Sequence, residues 1–202
     1  MTFPTTVVFD VGNVLLDWNP RHLYRKLFDD PAAMEMFLAE VCTPAWNCEL
    51  DRGRPFAEAV ADLVARFPDF ADAIRAYDAR WSEMIAGEIE GTVALLERLA
   101  ERGVPLYALT NLSDEKYESL YERHAFFRRF AGVLVSGRVK MVKPDPAIYR
   151  LLLESCELRA EQCLFIDDSA ANVDGARRVG LSALQFESPA QIERVLVELR
   201  LL

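Results

Sequence analysis

Val7-Val8-Phe9-Asp10-Val11-Gly12-Asn13-Val14-Leu15 sets a carboxylate at the end of an uninterrupted apolar run near the start of the chain. A second run, Cys163-Leu164-Phe165-Ile166-Asp167-Asp168, does the same near the other end. Strands of a parallel sheet are buried on both faces and read as continuous hydrophobic runs; open α/β sheets carry their functional groups beyond the strands' carboxyl ends. Two such strands ending in Asp bring carboxylates to one edge of one sheet. Like charges gathered there need a cation or a proton. The first expectation is therefore a divalent-metal site with a nucleophilic carboxylate to spare.

Working outward, apolar runs of strand length recur at Thr6–Asp10, Pro105–Thr110, Gly132–Ser136, Cys163–Asp167 and Ala183–Phe186, with helical patterns between them. Val93, Leu96, Leu99 and Ala100 share one helix face, which Gly103 can end at its C′ position. Ile148, Leu151 and Leu152 mark a helix from Pro146 to about Cys156. Ser169 reads as the N-cap of a helix running to Val179, and Ser188-Pro189-Ala190-Gln191 opens the last one. This alternation predicts an α/β fold with a Rossmann-like, doubly wound parallel sheet.

One segment departs from it. Between about Asp17 and Glu90 no strand is evident, and amphipathic faces such as Phe56, Val60, Leu63 and Val64, or Ile74, Tyr77, Trp81 and Met84/Ile85, follow one another between prolines. Some 70 residues of helix exceed a simple βαβ crossover. The expected division is a catalytic core of residues 1–16 and 91–202 with an inserted helical cap over 17–90.

The 202 residues carry a net charge of −9, which argues against nucleic acid as a partner. No apolar stretch approaches the ~20 residues of a membrane helix. With neither a basic leader nor a small-residue cleavage site at its start, the chain is expected to be cytoplasmic, as a monomer or weak dimer. The four cysteines lack metal-ligand spacing and read as reduced thiols. His22 and His124 fall in helical stretches with no partner for a Ser-His-Asp arrangement.

Asp10 is the first candidate for chemistry, since an aspartate can act as a nucleophile and form an acyl phosphate. Gly12 lets backbone come close to a ligand or metal. Asp167-Asp168 sets two further acids just before a helix N-terminus, where Mg²⁺ and its oxygen ligands would relieve their repulsion. Thr110-Asn111 offers a hydroxyl, an amide and backbone N–H groups to an oxyanion. In Lys143-Pro144-Asp145-Pro146 the prolines hold the lysine in place, so its ammonium can pair with carboxylate or phosphoryl oxygens.

Taken together, Phe9-Asp10-Val11-Gly12-Asn13-Val14-Leu15, Leu109-Thr110-Asn111, Lys143-Pro144-Asp145-Pro146-Ala147-Ile148-Tyr149 and Phe165-Ile166-Asp167-Asp168-Ser169-Ala170-Ala171-Asn172 resemble, in order and spacing, the motifs of the haloacid dehalogenase superfamily. The resemblance is nearest to its α-D-glucose-1-phosphate phosphatase-like branch, which carries a helical C1-type cap. It implies a Mg²⁺-dependent phosphatase acting on a small phosphorylated metabolite such as a sugar phosphate. Asp10 would become an aspartyl-phosphate, and Lys143 would orient it. Thr110 and Asn111 would hold the phosphoryl oxygens. Asp10, the Gly12 carbonyl and Asp168, with Asp167 directly or through water, would hold the metal.

The sequence departs from the family pattern at Gly12. Most phosphatases of the superfamily carry at that position an Asp that acts as general acid and base, worth about 10² to 10⁴ in rate. Three explanations are open: a substrate with a good leaving group, a proton donor elsewhere (Asp17, Asn13 or Glu49), or a relative that binds its ligand without turning it over. Dehalogenation of a 2-haloacid also uses an Asp nucleophile, but without metal or paired acids. In the cap, Trp46-Asn47-Cys48-Glu49-Leu50-Asp51-Arg52-Gly53 is expected to face the substrate, with Trp46 stacking on a sugar-like face and Arg52 reading an anion, beside Asn47 and Glu49.

Overall fold

A computed structural model describes residues 4–202. Along the chain run β1 (Thr6–Phe9), β2 (Leu16–Trp18), α1 (Arg21–Tyr24), α2 (Pro31–Glu40), α3 (Pro44–Asp51), α4 (Phe56–Arg66), α5 (Ala71–Ala79) and β3 (Ile85–Glu88). They are followed by α6 (Glu90–Glu101), β4 (Leu106–Thr110), α7 (Asp114–Arg123), β5 (Gly132–Val135), α8 (Ser136–Val139) and α9 (Pro146–Ser155). The chain closes with β6 (Cys163–Asp167), α10 (Ala170–Arg178), β7 (Ser182–Gln185) and α11 (Pro189–Glu198).

The five apolar runs form one parallel sheet in the order β5-β4-β1-β6-β7. From β1 the chain builds outward through β4 to β5, then crosses back to β6 on the other side. The carboxyl end of β1 therefore lies at the point where successive connections part, the place where open α/β sheets bind ligands. Both faces are covered. Val7 and Phe9 pack into one apolar cluster with Leu96, Leu99, Ile192 and Leu196, while Val8 packs into a second with Leu109, Ile148, Tyr149, Phe165 and Ala176. An uninterrupted hydrophobic strand needs such two-sided cover.

The predicted caps hold in part. Gly103 takes the positive φ expected of a C′ residue, +73°, and Gly180, just beyond α10, has one of +94°. Ser188 Oγ accepts the Gln191 N–H at 3.3 Å. Ser169 sits at the N-cap of α10, but its hydroxyl makes no capping bond; Asp167 Oδ1 instead accepts the Ser169 N–H at 2.9 Å. His124 lies just beyond α7, in extended backbone rather than helix.

The segment between β1 and β4 corrects the expectation of a strand-free insertion. β2 and β3 pair antiparallel, Leu16 opposite Glu88 and Asp17 opposite Gly87. The outgoing and returning chains are thus zipped into a two-stranded ribbon beneath α1–α5. Ile85, expected on a helix face, lies in that ribbon, because the helical run ends at Ala79 and passes through a 3₁₀ turn at Trp81–Met84. His22 and His124 each meet a ribbon carboxylate, Asp17 at 3.0 Å and Glu88 at 2.8 Å. Leu23, Tyr24, Phe37, Trp46 and Tyr77 from the helices join the same apolar cluster as Phe9, Val14 and Leu15. No helix among the described residues is long and apolar enough to cross a membrane.

The end of α3 is pinned to the sheet side. Ser136 Oγ donates to the Asp51 carbonyl at 2.6 Å and accepts the Leu112 N–H at 2.8 Å. Two residues further on, Gly53 (φ +88°) lies so near Gly137 that a Cβ would collide with the Gly137 carbonyl oxygen. Gly53→Ala should lower stability by about 2–4 kcal/mol, from left-handed strain plus overpacking. Gly103→Ala, at similar φ in open space, should cost about 1 kcal/mol. Urea unfolding midpoints of the two variants check the difference.

Candidate active site

The site is assembled from the ends of three neighbouring strands. Asp10 follows β1, Thr110 ends β4 and Asp167 ends β6. Lys143, from the loop between α8 and α9, enters beneath them: its Nζ lies 2.7 Å from Asp10 Oδ1 and 2.6 Å from Asp167 Oδ2. The three side chains are almost wholly removed from solvent. The Asn111 amide fixes the lysine's backbone from both sides, accepting the Lys143 N–H at 2.8 Å and donating to the Lys143 carbonyl at 3.1 Å. The Lys143-Pro144 peptide is cis.

Each carboxylate has a different share of donors. Asp167 is saturated: Oδ1 accepts from the Ser169 N–H and Asn172 Nδ2, both at 2.9 Å, and Oδ2 accepts from Lys143. Asp10 Oδ1 accepts from Lys143 and from the Val11 N–H at 2.7 Å, while Oδ2 has no hydrogen-bond partner among the described residues. Asp168 is half-buried beside them. The three residues offer carboxylate oxygens within 4.8 Å of one another. At an effective dielectric of ~20, like charges at such distances repel by roughly 3–4 kcal/mol per pair. Three carboxylates face one ammonium, so the cluster fits one further cation. With oxygen the only donor element, a hard divalent ion suits it best.

The electrostatics point the same way. Burial pushes the Asp10 carboxyl well above the usual carboxylate range; Lys143 opposes this, and Asp167 and Asp168 add to it. Asp168 is raised by burial and by Asp167. Burial also works against the Lys143 ammonium, but the charges of Asp10 and Asp167 outweigh it and hold its pKa above that of an ordinary lysine. A bound dication would reverse the shift on the carboxylates.

A cavity of about 200 Å³ opens above this cluster. Asp10, Gly12, Thr110, Asn111, Lys143 and Asp168 border it from the sheet side, and Asn47, Asp51, Trp18 and Trp81 from the ribbon and helices. Asn13, at φ 55°, turns the loop after Asp10. Gly12 does not need the unusual backbone angle a glycine permits: its φ is not positive and a Cβ would meet nothing within 4 Å. The Asn111 side chain, expected on phosphoryl oxygens, is spent on the lysine loop, which leaves the buried Thr110 as the hydroxyl of that pair.

Of Trp46, Asn47, Glu49 and Arg52, the side chains singled out for substrate contact, only Asn47 lines the cavity. Trp46 is 6 % exposed and packs edge-to-face on Tyr77 with ring centroids 4.9 Å apart. Such a pair is worth about 0.5–1.5 kcal/mol beyond its area, and its ring belongs to the apolar cluster rather than to the site. Glu49 is exposed and pairs with Arg54 at 2.5 Å. Arg52 is exposed at the end of α3 and borders no part of the cavity. Asp17 points to His22. Trp18 and Trp81 were missed, and Asp51 lay in the expected stretch without a role of its own. Asp51 stands one helical turn after Asn47, so the i, i+4 spacing could have coupled the two.

The wider comparison agrees with this geometry. The haloacid dehalogenase-like hydrolase family matches residues 4–180. A sesquiterpene phosphatase of Aspergillus oryzae, astK, is 26 % identical over 190 residues, covering 89 % of this chain and 88 % of its own. A phosphorylated carbohydrates phosphatase of Thermotoga maritima is 24 % identical over 185 residues, covering 88 % and 82 %. A haloacid dehalogenase family enzyme of Bacteroides thetaiotaomicron, solved with magnesium and inorganic phosphate, superposes with a TM-score of 0.70 at 21 % identity over 92 % of this chain and 95 % of that one. With the family pattern running through the strand ends and the loop that carry Asp10, Thr110, Lys143 and Asp167, this chain belongs to the haloacid dehalogenase-like hydrolases.

Proposed function

We propose that the protein is a Mg²⁺-dependent phosphatase that hydrolyses a small phosphate monoester through an aspartyl-phosphate on Asp10. The observation that carries this reading is the meeting of Asp10, Asp167 and Asp168 over one buried lysine at the carboxyl edge of the sheet. A dehalogenase would have no use for the third carboxylate. The phosphatase names of the Aspergillus and Thermotoga relatives favour the same chemistry. In this reading residues 1–16 and 91–202 are the catalytic core and 17–90 a C1-type cap.

The roles follow from the donors. Asp10 attacks phosphorus, held by Lys143 and the Val11 N–H. Thr110 binds a phosphoryl oxygen. Asn111 positions Lys143, and Asp167 holds the lysine and, through Ser169 and Asn172, the following loop. Asp10, Asp168 and the Gly12 carbonyl would hold Mg²⁺, with Asp167 acting from behind them. When bound, the metal supplies charge that draws the phosphoryl group to Asp10 and offsets its negative oxygens.

For the alcohol, a sugar phosphate is the expectation from sequence. One observation favours an apolar alcohol instead. A second chamber of about 590 Å³ shares Asn13, Trp18 and Asn47 with the catalytic cavity, and Leu38, Cys42, Pro44 and Tyr77 line it together with the paired charges of Arg21 and Glu35. Rates on prenyl monophosphates and on sugar phosphates of equal leaving-group pKa distinguish the two.

Asp10→Asn should lower phosphatase activity at least ~10³-fold, as for a member of a cooperative catalytic set. Chelator should abolish wild-type turnover of p-nitrophenyl phosphate, and added Mg²⁺ should restore it. Retained activity in chelator, above all on a 2-haloacid, would favour halide removal. Burial raises the metal-free Asp10 carboxyl, so a proton must leave as the metal enters. Apparent Mg²⁺ affinity should then rise between about pH 6 and about pH 8, with proton release measured by calorimetry in buffers of different ionisation enthalpy. Asp168→Asn should weaken that affinity.

A further inference from the structure

Gly12 leaves the leaving oxygen without the usual proton donor, and the candidates read from sequence do not replace it: Asp17 is tied to His22, Glu49 to Arg54 outside the cavity, and Asn13 lines the cavity but carries an amide, which has no acidic proton to give. Asp51 is different. It ends α3 and lines the same cavity as Asp10, Thr110, Lys143 and Asp168. It makes no ion pair among the described residues. Its Oδ2 accepts from Asn47 Nδ2 at 2.9 Å, and Oδ1 has no hydrogen-bond partner among the described residues. The Tyr77 hydroxyl donates to Asn47 Oδ1 at 2.7 Å, which turns the amide's N–H groups towards Asp51.

The backbone is held as firmly as the side chain. Ser136 Oγ bonds the Asp51 carbonyl at 2.6 Å, and the Gly53–Gly137 contact follows two residues later. A carboxyl carried by the inserted helices is thereby fixed over groups carried by the sheet. We propose that Asp51 is the general acid and base that Gly12 does not provide.

Burial pushes the Asp51 carboxyl up to about 7, with the Lys143 charge opposing, so both of its protonation states are accessible near neutral pH. Catalytic acids work best in that range. Tyr77 from α5 and Lys143 from the loop before α9 are the ionisable groups that bear on it. The proposal rests on the phosphatase reading and balances within it. As Asp10 attacks, the bond from phosphorus to the alcohol oxygen breaks, and the Asp51 proton passes to that oxygen. The Asp51 carboxylate then takes a proton from the water that attacks the aspartyl-phosphate, which releases inorganic phosphate and restores both acids.

The test compares wild type, Asp51→Asn, Asp51→Ala and Asp10→Asn on aryl and alkyl phosphates spanning a range of leaving-group pKa. For the Asp51 variants the loss in kcat/KM should grow with that pKa, from less than tenfold for p-nitrophenyl phosphate to about 10²–10³ for simple alkyl phosphates. p-Nitrophenol should appear in a burst of one equivalent, because water attack on the phosphorylated enzyme also slows. Asp51→Asn keeps an oxygen for Asn47 and Asp51→Ala does not, so the same slope in both separates proton transfer from folding. An equal loss on every ester, or none, overturns the assignment of Asp51 while an inactive Asp10→Asn leaves the phosphatase reading standing. Activity in Asp10→Asn equal to wild type overturns both.

Discussion

A single buried ammonium ties the catalytic edge of the sheet together. Lys143 bridges the carboxylates after β1 and at the end of β6, while Asn111 after β4 grips its backbone. Three strands are thus coupled through one residue that none of them carries. Removing a lysine from water costs several kcal/mol, and only the two carboxylates make its position tenable. They in turn could not share so dry a space without it. The arrangement balances poorly on its own, since Asp168 adds a third acid. That residual negative charge fits the site for a cation, which would offset the repulsion between an anionic substrate and a chain of net charge −9.

The sheet edge accounts for phosphoryl transfer but supplies little that could recognise an alcohol. Those surfaces come from the inserted segment. The β2–β3 ribbon brings in Trp18, the 3₁₀ turn brings in Trp81, and α3 brings in Asn47 and Asp51. Because the ribbon pairs the outgoing and returning chains, the helices above it are carried as a unit. Ser136 and Gly137 then fix the end of α3 against the sheet side. Chemistry placed in the floor and selectivity in the roof is a division that one fold can exploit for many substrates.

Gly12 is the informative absence. Its φ is ordinary and the space beside it open, so no steric reason excludes an acid there. The inserted helices instead bring a half-buried carboxyl, Asp51, to the same cavity. Moving a proton donor from floor to roof would link protonation of the leaving group to the segment that contacts it.

Most of the sheet could be read directly. Val7–Phe9 and Cys163–Ile166 are apolar at every position because both faces of a parallel strand are covered, and that signal is local. Asp10, Thr110, Lys143 and Asp167 were legible for the same reason: each sits at a strand end or beside a proline that marks its place. The ribbon was not legible, since Leu16–Trp18 and Ile85–Glu88 are short, contain Asp and Gly, and find each other only across some 70 residues. Nor could the sequence divide Trp46, Glu49, Asp51 and Arg52 among core, surface and cavity. They lie within two turns of α3, and which face of that helix meets Tyr77, solvent or Lys143 depends on how it docks. The sequence by itself determined the parallel sheet and the acidic edge, because hydrophobic continuity and strand-end chemistry are written residue by residue. Only the tertiary structure decided which helical side chains close the cavity, because a helix face acquires its environment from its neighbours and not from its own spacing.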